Sequence, residues 1–168
     1  DSNRVGVKCV EYCYEKLSEA VKIAHTSPIP MTTADLRAVI RSLYSSIYSA
    51  HIHYMGHYFR NLYYIFKFIK DATIPDDKKK FYGGIIRAQL SSKELILIGF
   101  NCLTDYGTKF DELIVTFSLL HNIMNDDVNR SILTALYDKK AFGDEDITKP
   151  LPEKKDNQFY YTLLNNKF

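Results

Sequence analysis

The pattern that most restricts this chain is the return of apolar side chains every three or four residues. Val7, Val10, Cys13, Tyr14, Leu17, Val21 and Ala24 keep that spacing, which lines one face of a helix. Leu36, Val39, Ile40, Leu43 and Ile47 keep it again, and it continues past Gly56 through Phe59, Tyr63, Phe66 and Ile69. No run alternates with period two, so no sheet is expected. The fold class is therefore all-α: a single compact helical bundle of about five to seven helices over residues 1–168, with an irregular polar C-terminal region over about 139–168. A chain of 168 residues suffices for one domain and needs no disulfide or metal staple.

Element boundaries follow from the breakers. Pro28 and Pro30 end the first helix in an extended link. Thr32 or Thr33 caps the second, which is long enough to demand a kink or break between Ser49 and Gly56. Asp76 is expected to cap a helix running from about Lys78 to Leu103, roughly 35–40 Å long at 1.5 Å per residue, with Gly83-Gly84 weakening its start. Thr108 and Asp111 resemble a capping box for a helix to about Met124. Asp126 or Asp127 caps another to about Tyr137, and Phe159 to Leu164 is apolar enough to dock as a last helix or turn.

Composition excludes several function classes. The formal net charge is only +2, too small an excess for a nucleic-acid backbone binder. Cys9, Cys13 and Cys102 are odd in number and form no framework, so they read as buried thiols of a reducing compartment. No apolar stretch is long enough to span a membrane, and no secretory signal is visible. A cytoplasmic location follows, and any membrane anchor would have to lie N-terminal to Asp1. There is no P-loop, dinucleotide-binding glycine motif, nucleophile elbow or paired-cysteine motif, and no cofactor is expected.

Two polar constellations stand out. On a continuous helix from Lys78 to Leu103, Arg87, Ser91, Glu94, Ile98 and Asn101 fall on one face between apolar flanks. Such a stripe is either a solvated outer face or a buried network that must be nearly fully hydrogen-bonded. The second set is His53, His57, Arg60 and Tyr64 on the preceding helix. His53 and His57 share a face and could take a metal if Glu94 or His121 supplied a third ligand. Tyr54 stands where zinc proteases carry Glu, so no metal site is assigned. His57 and Arg60 are the candidate catalytic pair of a ribonuclease, as acid–base group and charge stabiliser. Helical nucleases of the HEPN superfamily carry Arg four to six residues before His, a spacing that no Arg in this chain shows. Lys78-Lys79-Lys80 reads as solvated surface, and the series Tyr44, Tyr48, Tyr54, Tyr58, Tyr63 and Tyr64 as packing rather than base stacking.

These residues also carry a family resemblance. The string His57-Tyr58-Phe59-Arg60-Asn61-Leu62-Tyr63-Tyr64-Ile65 resembles the first block of the phage abortive infection (AbiC-like) proteins. Phe81 to Leu95, with Arg87-Ala88-Gln89-Leu90-Ser91 at its centre, resembles the second. Asn101, Gly107, Lys109 and Phe110 continue the pattern, so the resemblance covers about residues 50–124. It implies a bacterial anti-phage role, as a sensor or effector domain acting through protein or ligand binding. A protein partner or phage-derived trigger, and self-association, would go with that role. Members of the family often carry N-terminal membrane helices, and a domain of this kind would be their cytosolic part. The family brings no settled catalytic residues, so whether the chain is an enzyme stays open, with the reading leaning to a non-enzyme and the alternative being a HEPN-like ribonuclease of a defence or toxin system. Arg60 from one block and Arg87, Gln89, Ser91, Glu94 and Asn101 from the other would converge if their helices pack antiparallel. They would then form either a clamp built on an Arg–Glu pair or a ligand pocket.

Overall fold

The computed structural model describes residues 7–25, 31–125 and 128–143. Among them every regular element is helical. The α-helices are α1 (Val7–His25), α2 (Thr33–Asp71), α3 (Asp76–Arg87), α4 (Ser92–Cys102), α5 (Asp111–Thr116) and α6 (Val128–Leu136). Short 3-10 turns lie at Thr108–Phe110, Leu119–Asn122 and Lys139–Phe142. The fold is all-α, with six α-helices among the described residues.

Helix α4 is the axle. Every residue from Leu95 to Cys102 is buried, and a helix that is apolar all round must be surrounded by protein. The elements α1, α2, α5 and α6 pack on it. Helix α1 contributes Cys9, Cys13, Leu17 and Val21; α2 contributes Ile40, Tyr44, Phe59 and Phe66; α6 contributes Ile132 and Leu133. Two polar ties cross this core. Asn129 Nδ2 donates to Ser18 Oγ at 2.8 Å, and the Tyr137 hydroxyl donates to the Gly99 carbonyl at 2.7 Å. All three thiols are free and buried. Burial, with Cys9 beside it, pushes the Cys13 thiol up to about 12, and burial raises Cys102 as well. Neither forms a thiolate near neutral pH, so both act as small apolar side chains.

Helix α2 begins as expected. The Thr32 side chain accepts from the Asp35 N–H while the Asp35 carboxylate accepts from the Thr32 N–H at 2.9 Å, a complete capping box. Those bonds hold the Asp35 carboxyl below its ordinary value. The kink falls inside the expected window, at His51, whose φ of −126° and ψ of 15° interrupt the helix. His51 Nδ1 lies 3.0 Å from the Ile47 carbonyl, and a side chain engaging the carbonyl four residues back bends a helix.

The expectation of one helix from Lys78 to Leu103 is corrected. The chain stops at Arg87, turns through Ala88–Leu90 and restarts at Ser91. Ser91 is extended (φ −71°, ψ 158°), and its side chain accepts from the Glu94 N–H. Glu94 Oε2 accepts in return from the Ser91 N–H at 2.7 Å. A capping box therefore lies inside what reads as uninterrupted periodicity. The helix expected to reach Met124 is also shorter, because α5 ends at Thr116 and Ser118 adopts a left-handed conformation at φ 50°. Asp76 does not cap α3, since Pro75 occupies that position without a side-chain bond. Thr108 opens a 3-10 turn, and its hydroxyl donates to the Thr104 carbonyl instead. The link at Pro28 and Pro30, the caps at Asp126 or Asp127 and the docking of Phe159 to Leu164 lie outside the described residues.

Candidate functional site

The break after Arg87 disperses the polar stripe. Ser91 and Glu94 are spent on the α4 cap, and Glu94 also accepts a 2.5 Å hydrogen bond from the Tyr58 hydroxyl. That bond ties the second family-like block to the first. Burial, with Glu94 beside it, raises the Tyr58 pKa strongly, so the phenol stays a donor. Arg87 turns the other way: its Nη1 donates to the Phe117 and Ser118 carbonyls, each at 3.0 Å. Those are the carbonyls exposed where α5 unwinds. Partial burial lowers the Arg87 pKa without neutralising a guanidinium. Gln89 is exposed on the turn. Glu94 thus pairs with neither Arg60 nor Arg87, and the six network residues do not meet at one point.

Arg60 and Asn101 do come together, in a cleft between α2 and the segment 101–110. From α2 come Tyr48, Gly56, Phe59, Arg60, Tyr63, Tyr64 and Lys67. The opposite wall is Asn101, Asp105, Tyr106, Gly107, Lys109 and Phe110. The cleft encloses about 440 Å³, within the range of small-molecule sites. An adjoining pocket of about 370 Å³ adds Ile52, His53 and His57, and shares Tyr48, Gly56, Arg60 and Tyr106. Together they run along α2 beyond the kink at His51.

The wall opposite α2 is held in place locally. Thr104 N–H and Oγ1 both bond the Asn101 carbonyl, at 3.0 and 2.7 Å, and the Gly107 N–H bonds the Thr104 carbonyl. Gly107 is pressed so closely on Asn101 that a Cβ there would run into the Asn101 Oδ1 and backbone, which makes glycine a steric requirement. The Tyr106 ring leans on Tyr48 with centroids 4.7 Å apart. Asn101 is 3% exposed, and its side-chain amide faces the hydroxyl of buried Tyr44 in the core, outside ideal hydrogen-bond geometry.

Charge in the cleft is mostly positive. Lys67 is bound to Asp71 and Asp105 to Arg41. Arg60 and Lys109 join no ion pair among the described residues. His53 and His57 are both exposed on the adjoining pocket. Neither suggested third metal ligand comes to them: Glu94 serves the α4 cap, and His121 Nδ1 lies 2.7 Å from the Phe142 carbonyl. No cluster of three or more metal-binding side chains occurs among the described residues.

Sequence reasoning picked out Arg60 and Asn101 but missed Tyr48, Tyr64 and Tyr106 as cleft walls. Tyr44 and Tyr48 are core residues, as expected, but Tyr64 and Tyr106 are 61% and 52% exposed. The available signal was the Gly107, Lys109 and Phe110 continuation of the family-like pattern, which Tyr106 adjoins.

Residues 50–128 match the family model described as "putative phage abortive infection protein". The chain is similar to that family over this segment. The matched segment starts beside the α2 kink, contains α3, α4 and α5, and ends on the first residue of α6. Every residue lining the larger cleft except Tyr48 lies within it. No curated protein and no solved structure matches the chain. No helix among the described residues is long and apolar enough to cross a membrane.

Proposed function

We propose that this chain is a bacterial anti-phage domain of the abortive infection type, acting in the cytoplasm as a sensor or effector. It engages its ligand, or a phage-derived trigger, in the cleft between α2 and the segment 101–110. One observation carries the reading: the abortive infection segment supplies nearly the whole lining of that cleft. Unpaired cations and exposed rings suit recognition better than a packed clamp. The Tyr58–Glu94 bond supports a scaffold role for the other polar residues. The test is phage plating on cells with and without the gene. Plaque counts should fall by at least tenfold for some members of a diverse panel, and equal counts across the panel would contradict the role.

A ribonuclease reading draws on a separate observation, that His53, His57 and Arg60 line the same small pocket. An acid–base imidazole beside a guanidinium suits phosphodiester cleavage. Incubation of pure protein with total RNA decides it. Cleavage lost in His57→Ala supports the ribonuclease, and intact RNA with several divalent metals and without metal rejects it.

A further inference from the structure

Two features of the cleft, taken together, specify a chemical class of ligand. First, Arg60 and Lys109 are cations without ion-pair partners among the described residues, while the one lining carboxylate, Asp105, is held by Arg41. Such a pair asks for an anion, and a guanidinium meets phosphate oxygens in a two-pronged way that a point charge cannot. Second, Tyr64 and Tyr106 present rings to the cleft that are more than half exposed. Ring faces of this kind take flat aromatic groups.

We infer that the cleft binds a small free nucleotide, its base against Tyr106 or Tyr64 and its phosphate at Arg60 and Lys109. The inference rests on the proposed use of this cleft and adds the ligand class. The volume, about 440 Å³, lies toward the small end of the range for ligand sites. The net charge of +2 also favours a free nucleotide over a polymer, which demands a broad basic face.

The test is calorimetric titration of the full chain with the four 5′-ribonucleoside monophosphates, the matching nucleosides, inorganic phosphate and a short single-stranded RNA. At least one monophosphate should bind at one per chain, with its nucleoside and inorganic phosphate each at least tenfold weaker. Arg60→Gln and Tyr106→Leu should each weaken that binding at least tenfold. Both side chains are exposed, so melting temperature and circular dichroism should stay unchanged. The inference is overturned if no monophosphate binds, if phosphate alone binds as tightly, or if the RNA binds more tightly than any monophosphate. Plating on Arg60→Gln cells separates the two ideas. Lost protection without nucleotide binding keeps the cleft and rejects this ligand. Nucleotide binding with intact protection keeps the ligand and rejects its part in defence.

Discussion

Gly83 and Gly84 are neighbours on α3 with opposite environments. A Cβ on Gly83 would enter the ring of buried Phe117, whereas one on Gly84 meets nothing within 4 Å. Gly83→Ala should therefore cost about 1–3 kcal/mol, the usual range for overpacking. Gly84→Ala should gain up to about 1 kcal/mol, the difference in helix propensity. Urea unfolding of both variants checks this, and shifts of the same sign would show that α3 does not pack on Phe117 as described. The sequence marks both glycines only as weak helix formers. What separates them is Phe117, distant along the chain, and local pattern carries no information about such a partner.

At the level of elements, the instructive error is the helix expected from Lys78 to Leu103. Apolar spacing passes through Leu90 and Leu95 without a fault, yet Ser91 and Glu94 form a capping box that divides it. The periodicity runs straight across the cap because no Gly or Pro marks the turn. Ser91→Ala should remove the side-chain acceptor and cost about 1 kcal/mol. Chemical denaturation measures it, and a cost near zero would mean that α4 does not depend on this start. The α2 kink and the Thr32 cap could be read from the sequence because each depends on residues within one turn. The break at Ser118 could not, because it depends on Arg87 reaching across to the Phe117 and Ser118 carbonyls.

Across the whole molecule, helical class and buried cysteines followed from spacing and composition, since both depend on local chemistry and on the hydrophobic effect alone. The cleft did not, because it exists only where α2 meets the segment 101–110. The resemblance named Arg60, Asn101, Gly107 and Lys109 without showing that they face one space. The α1 helix lies outside the matched segment, yet it buries Cys13, Leu17 and Val21 against the core around α4, so the matched segment depends on it for cover. The cleft is the part of this assembly that packing does not explain. The most direct measurement is phage plating efficiency on cells producing equal amounts of wild type, Arg60→Gln, Tyr106→Leu and Lys16→Ala, the last an exposed charge on α1 away from the cleft. Protection should fall at least tenfold for the two cleft variants and persist for Lys16→Ala; full protection by both cleft variants would contradict the account.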